Sequence, residues 1–227
     1  MIGVAFERDR SRWKDLLVYL PQKQIAEYQR GQVIFSQDQP STGIYLVSKG
    51  KVKITRTTDE GMPVLIDIYA QDEFFGEGGL LGFPRPAGQA SAFENSGLMS
   101  WTTAEIEGLI QKQPRLGLTL IRMLVDRAID NTDRLRSMAL EKTPQRIERC
   151  LLRFAGRLGE KEGDGVVRLP ALSHELIAAF IGTSREIVTN HMNELRRLGY
   201  IRYSRKHIDI YYQPMKERLD HFPGGQL

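Results

Sequence analysis

The sequence predicts an α+β protein built in three successive parts, and three observations carry that expectation. Short strand-like runs separated by turns fill the first half, and one long stripe of apolar residues at helical spacing follows from about Pro114 to Leu140. The last third holds two short amphipathic helices joined at a glycine, then two strands around a basic turn. Boundaries set at these changes of pattern fall at 1–113, 114–142 and 143–227.

In the first part, Val33-Ile34-Phe35, Ile44-Tyr45-Leu46-Val47, Val52-Lys53-Ile54-Thr55 and Val64-Leu65-Ile66-Asp67-Ile68 are separated by turns at Gly31, Gly43, Gly50 and Asp59-Glu60-Gly61. Short, evenly spaced strands of this kind predict an antiparallel barrel or sandwich.

In the second part, Gly117, Leu120, Leu124, Ala128, Asn131, Leu135 and Met138 fall on one stripe with spacings of three and four. Arg122, Asp126, Arg127, Asp130, Asp133, Arg134 and Arg136 lie mainly outside it. So narrow a seam suits a coiled-coil homodimer, with Asn131 as a polar register or ligand-contact position. Burial against the chain's own barrel would give the same spacing.

Thr143-Pro144 opens the third part, because threonine can cap a helix and proline fits its first position. Cys150 lies with Ile147, Leu151 and Phe154 on an apolar helix face and reads as a core residue. Gly156 to Gly165, rich in glycine and charge, is expected to be an exposed loop open to another protein.

The segment Ser173 to Arg197 carries the chemistry. Ser173 is a plausible N-cap, Leu176, Ile177, Phe180 and Ile181 follow at helical spacing, and Ala178 is small enough for a close helix crossing. Gly182 ends the helix without the steric penalty of a Cβ, and Thr183 with Glu186 has the spacing of a capping box for the next one. Ile187, Val188, Met192, Leu195 and Leu198 form its apolar face. Ser184, Arg185, Glu186, Thr189, Asn190, Asn193 and Arg196 form a polar face suited to a DNA groove.

An ordinary amphipathic helix pair would share the spacing, but not the paired base readers. Arginine bonds bidentately to guanine and glutamate accepts from cytosine, so Arg185 and Glu186 at a helix start suit adjacent base pairs. Gly199 would cap the second helix, and Tyr200–Tyr203 and Ile208–Tyr212 read as strands around Ser204-Arg205-Lys206-His207. Between Ser184 and Lys206 lies a local excess of four positive charges, with the turn around Lys206 as its tip.

Composition is ordinary for a soluble globular protein. The 227 residues are 41% hydrophobic and 26% charged, with net charge +4, which permits nucleic-acid binding. The absence of a long apolar run and of a secretory leader makes the cytoplasm the expected location, with no membrane partner. The single cysteine excludes an intrachain disulfide, and no nucleophile elbow, P-loop, dinucleotide fingerprint or metal-ligand spacing is present. Catalysis and a metal site are not expected.

The order of parts resembles the Crp/Fnr family of bacterial transcription regulators across nearly the whole chain. The most specific pieces are Phe75-Gly76-Glu77-Gly78-Gly79-Leu80, similar to the phosphate-binding cassette of cyclic-nucleotide domains, and Gly182-Thr183-Ser184-Arg185-Glu186, similar to the family's recognition-helix start. The resemblance implies a cyclic-nucleotide-binding-like β-roll, a long dimerisation helix and a C-terminal winged helix-turn-helix. It also implies a palindromic operator in double-stranded DNA and contact with RNA polymerase. A docking or effector-sensing module that does not bind DNA is the alternative.

Carried over, Arg185 matches a guanine-reading arginine and Glu186 a cytosine-reading glutamate, which together support a TGTGA-like half-site. Asn190 stands where a second arginine is usual, and Thr189 shares its helix. His174 matches a position that commonly holds a phosphate-contacting arginine, beside Ser173. In the roll, Gly76 and Glu77 match the cassette, but the Arg-x-Ala pattern aligns with Gly88-Gln89-Ala90, leaving Arg85, between Pro84 and Pro86, as the nearby cation. Loss of a bidentate, charge-assisted phosphate contact makes cAMP an unfavourable ligand and leaves an unidentified small molecule or no effector. The cassette glycines would serve equally in a tight turn. Asn131 and Thr132 match positions that touch the adenine. The first 149 residues contain no cysteine or histidine, which argues against an Fnr-type cluster or histidine-ligated haem there.

Overall fold

The computed structural model describes residues 14–37, 39, 43–61, 63–81 and 88–221. The chain divides into two compact units, one ending at Ile129 and the other beginning at Asp130.

The first unit is a roll of two four-stranded antiparallel sheets. Strands β1 (Ala26–Tyr28), β2 (Val33–Phe35), β3 (Gly43–Lys49), β4 (Val52–Thr57), β5 (Pro63–Tyr69), β6 (Phe74–Phe75), β7 (Gln89–Ala92) and β8 (Ser96–Thr102) pair in the orders β1-β8-β3-β6 and β2-β7-β4-β5. Alternation along each strand sends Phe35, Val47, Val52, Ile54, Phe75, Ala90 and Leu98 into one core shared by strands of both sheets. The opposite face of the first sheet contributes Ile44, Leu46, Phe74 and Trp101 to a second core.

Three helices cover that face: α1 (Lys14–Leu17), α2 (Thr103–Lys112) and the start of α3 (Pro114–Leu140). A full capping box begins α2, in which Thr102 accepts from the Glu105 N–H and Glu105 accepts from the Thr102 N–H. Leu116, Leu120 and Met123 of α3 are buried in the second core. Only the start of the predicted seam meets this core, while its Leu124, Leu135 and Met138 are 38%, 66% and 42% exposed. Gly117 faces Ile110 and Leu120 faces the core, whereas Leu118, Ile121, Val125 and Ile129 are about half exposed or more. A 27-residue helix with apolar residues on two faces fits two stripes offset by about one position, and periodicity cannot choose between them.

The second unit contains α4 (Thr143–Leu158), β9 (Glu160–Lys161), β10 (Val166–Pro170), α5 (His174–Ile181), α6 (Arg185–Arg197), β11 (Ile201–Tyr203), β12 (His207–Tyr211) and α7 (Tyr212–Asp220). Its strands pair as β11-β12-β10-β9. Lys142, not Thr143, caps α4, and the Gln145 side chain accepts from the Lys142 N–H. Cys150 is buried in the core as expected. The expected loop at Gly156–Gly165 is shorter than its composition suggested. Helix α4 runs on to Leu158, and Glu160–Lys161 pairs with Val167 and Arg168. Glycine and charge therefore lie partly within regular structure, on an exposed edge strand that such residues tolerate.

Candidate DNA-reading surface and roll interior

Helices α5 and α6 form the helix-turn-helix. The Ser173 side chain accepts from the Leu176 N–H, and Gly182 ends α5 in the left-handed conformation (φ 69°), donating to the Ala178 carbonyl. The Thr183 N–H also donates to Ala178, so Thr183 belongs to the turn. The cap of α6 is Ser184, one residue later than the predicted Thr183–Glu186 box, and its hydroxyl accepts from the Ile187 N–H. Gly199 (φ 78°) closes α6 as expected, with the Tyr200 N–H returning to the Leu195 carbonyl.

Val188, His191, Met192 and Leu195 bury one face of α6. Ser184, Arg185, Glu186, Asn190 and Asn193 are exposed on the other. Ile187 and Leu198, expected on the apolar face, are 46% and 45% exposed because they flank the buried stripe instead of lying in it. The backbone N–H of Glu186 itself and the Ser184 hydroxyl hold the Glu186 carboxyl below the ordinary carboxylate range. It is therefore an acceptor at neutral pH, as cytosine recognition requires.

Thr189 is partly buried. Its hydroxyl donates to the Arg185 carbonyl at 2.8 Å, the i−4 bond common for threonine in helices. The ring of His174 lies 2.8 Å from that hydroxyl through Nδ1 and 2.8 Å from the Tyr203 hydroxyl through Nε2. Both nitrogens of the predicted phosphate-contacting residue are thus engaged within the domain.

In the wing turn, the Ser204 hydroxyl accepts from the N–H groups of Lys206 and His207, and the Lys206 side chain is exposed. Asp209 of β12, nearly fully buried, anchors the turn by accepting from Arg202 at 2.9 Å and Arg168 at 3.2 Å. Burial opposes ionisation there, yet the bonds from Arg202 and Arg168 leave its carboxyl below the ordinary range.

Beneath α6 lies a polar cluster that sequence reasoning missed. Glu148 of α4, fully buried, receives His191 Nε2 at 3.0 Å and Arg218 Nε at 3.1 Å, while His191 Nδ1 meets Glu194 at 3.2 Å. The signal was weak. Only the charged pair Glu148-Arg149 between Ile147 and Cys150 hinted at it.

The roll interior differs in kind. Gly76 adopts φ 84°, and a Cβ there would lie 2.9 Å from the Tyr45 ring, so the cassette turn requires glycine. Glu77 begins the 3-10 turn Glu77–Leu81 and is ion-paired with Arg127 of α3. Arg127 also donates to the Phe74 carbonyl, and its guanidinium sits 5.2 Å from the centre of the Tyr69 ring. Burial disfavours its charge, but Tyr69 and Glu77 more than compensate and hold its pKa above the ordinary value. Sequence reasoning placed Arg127 outside the helix seam and did not connect it with Glu77.

A Cβ on Gly88 would lie 2.5 Å from the Thr55 carbonyl oxygen. The position aligned with the phosphate arginine therefore has no room for a side chain without a backbone shift. Gln89 pairs with Thr55 across β7 and β4. Arg85 lies outside the described residues, although Arg85-Pro86-Ala87 repeats the Arg-x-Ala order eight residues after Glu77. Asn131 and Thr132 are exposed on α3.

A β-roll, a long helix and a winged helix-turn-helix together define a transcription regulator, not an enzyme. The Cyclic nucleotide-binding domain model matches residues 25–113, and the Crp-like helix-turn-helix domain model matches residues 145–212. The chain is 27% identical over 189 residues to a CRP-like cAMP-activated global transcriptional regulator of Mycobacterium tuberculosis, covering 83% of this chain and 84% of that protein. It is also 27% identical over 190 residues to a Global nitrogen regulator of Synechococcus elongatus, covering 83% and 86%. A solved CRP/FNR-family transcriptional regulator from Thermus thermophilus superimposes with a TM-score of 0.71 at 26% identity, over 87% of this chain and 98% of that one. The chain belongs to the Crp/Fnr family of transcriptional regulators. Among the described residues, no group of three or more His, Cys, Asp or Glu could hold a metal ion, and no helix is long and apolar enough to cross a membrane.

Proposed function

We propose that the chain acts as a homodimer that reads a palindromic operator, with 1–113 as effector domain, 114–142 as dimerisation helix and 143–227 as DNA-binding domain. One observation carries the reading. Arg185 and Glu186 stand exposed at the start of a capped helix whose other face is locked into the core. Arg185 takes a guanine and Glu186 a cytosine of a TGTGA-like half-site, with Asn190 at the outer base. Ser173, Ser184 and Lys206 serve the phosphate backbone.

A second copy covers the exposed stripe Leu118, Ile121, Val125 and Ile129, and RNA polymerase is the partner through which promoter output changes. The input is a small molecule other than cAMP, or none. The Glu77 carboxylate already holds Arg127, and Gly88, the residue before β7, offers no side-chain cation. Any ligand entering near Gly76, Glu77 and Gln89 must compete with the Arg127 pair, and Arg85, Asn131 and Thr132 remain candidate contacts.

Selection from a random DNA pool followed by band-shift titration tests the output. The expected result is an inverted repeat bound at roughly 10⁻⁸ M or tighter at physiological salt. Sequence-blind, micromolar binding would refute it. Titration calorimetry with cAMP tests the input, and saturable micromolar binding would restore the cyclic nucleotide as effector.

A further inference from the structure

We propose that His174 is a positioning residue, not a phosphate contact, and that it couples the base-reading end of α6 to the wing strand β11. The inference rests on the DNA-binding reading above. It follows from a chain of hydrogen bonds joining three elements.

The Thr189 hydroxyl donates its one proton to the Arg185 carbonyl, so it can only accept from His174. Nδ1 of His174 must then carry a proton. In the neutral ring Nε2 is left as an acceptor, and the Tyr203 hydroxyl donates to it at 2.8 Å. The order is Tyr203 to His174 to Thr189 to the backbone of Arg185, with each donor matched to an acceptor.

The groups around the ring favour this neutral state. Burial lowers the His174 pKa, and the nearby Arg185 charge lowers it further. Burial pushes the Tyr203 phenol up to about 12, against a smaller opposing effect of Arg196, so the tyrosine keeps its proton. Thr189 is uncharged. Two consequences follow. The Thr189 hydroxyl has no proton left for a base, and a change at the wing reaches the residue beside the guanine reader through His174.

Protonation of Nε2 would turn the acceptor for Tyr203 into a donor and break this order. A positioning histidine therefore loses operator affinity as pH falls through its lowered pKa, below the ordinary histidine range, whereas a phosphate contact gains it by becoming cationic. The signs are opposite.

The test uses the full-length protein and an inverted-repeat operator selected by that protein from random DNA. Affinities for operator and random DNA are measured for wild type, Tyr203→Phe, His174→Phe, the double variant and His174→Gln, after thermal melts show each is folded. Tyr203→Phe removes one oxygen from the partly exposed wing and serves if His174→Phe does not fold. It should lower operator affinity roughly tenfold, about one hydrogen bond, with random DNA unaffected. The double variant should be no weaker than His174→Phe alone. From pH 8 to 5.5 the affinity of wild type relative to His174→Gln should fall.

Additive losses, a wild-type affinity that rises relative to His174→Gln at low pH, or a salt slope reduced by about one in His174→Gln would each overturn the proposal. A wild-type protein that selects no operator would overturn the DNA-binding reading and the coupling with it. If it selects one and Tyr203→Phe binds it normally, only the coupling fails.

Discussion

The recognition helix and the roll interior both carry a glutamate and an arginine, and they use them in opposite ways. Arg185 and Glu186 face solvent at the start of α6. Glu77 and Arg127 face each other, and the arginine also meets the Phe74 carbonyl and the Tyr69 ring. Exposed charges contribute little to stability and retain their bonding capacity for a partner. Groups that satisfy one another inside a fold contribute to stability, and any ligand must displace that pairing before it gains a contact.

Four substitutions separate the two regions. The largest effect is expected beneath the reading surface. Glu148→Ala removes the shared acceptor of His191 and Arg218 and should cost about 3–5 kcal/mol of unfolding free energy, measured by urea denaturation. A loss below about 1 kcal/mol would mean that the cluster does not hold α6.

Next is the roll. Glu77→Ala leaves Arg127 partly buried without its carboxylate and should cost about 2 kcal/mol in the same assay. Unchanged stability would mean that Glu77 is available to a ligand after all.

Arg185→Ala inverts the pattern. Its stability should stay within about 0.5 kcal/mol of wild type, while operator binding should weaken by about 1–3 kcal/mol with discrimination lost at one base pair. Equal losses on specific and random DNA would remove the base-reading role.

The smallest effect belongs to Lys206→Ala. It should weaken all DNA alike and reduce the slope of affinity against salt by about one, with no change in preferred sequence.

Much of this was legible from residue order. Ser173, Gly182 and Gly199 each announced a helix boundary, because caps and left-handed turns act on the residue itself and its nearest neighbours. The single-residue misplacement of the α6 cap shows the limit of such signals. Thr183 and Ser184 are both competent caps, and the bonds of the preceding helix end decided between them. The α3 stripe was legible only in part, since the helix is apolar on more than one face and only the core shows that Leu120 is buried while Leu124, Leu135 and Met138 are exposed.

Residue order alone announced the three-part order, the strand-rich first half, the long helix, the turn at Gly182 and the exposed pair Arg185 and Glu186 at a helix start. These depend on spacing and on local backbone chemistry, which are written along the chain. Tertiary structure alone decided that Arg127 meets Glu77, that Gly88 has no room for a side chain, that Glu148 joins His191 to Arg218, and that His174 lies between Thr189 and Tyr203. Each of these contacts joins residues 15 to 70 positions apart or more closely fitted strands. Their energies come from burial and bond direction, which exist only once the elements have packed.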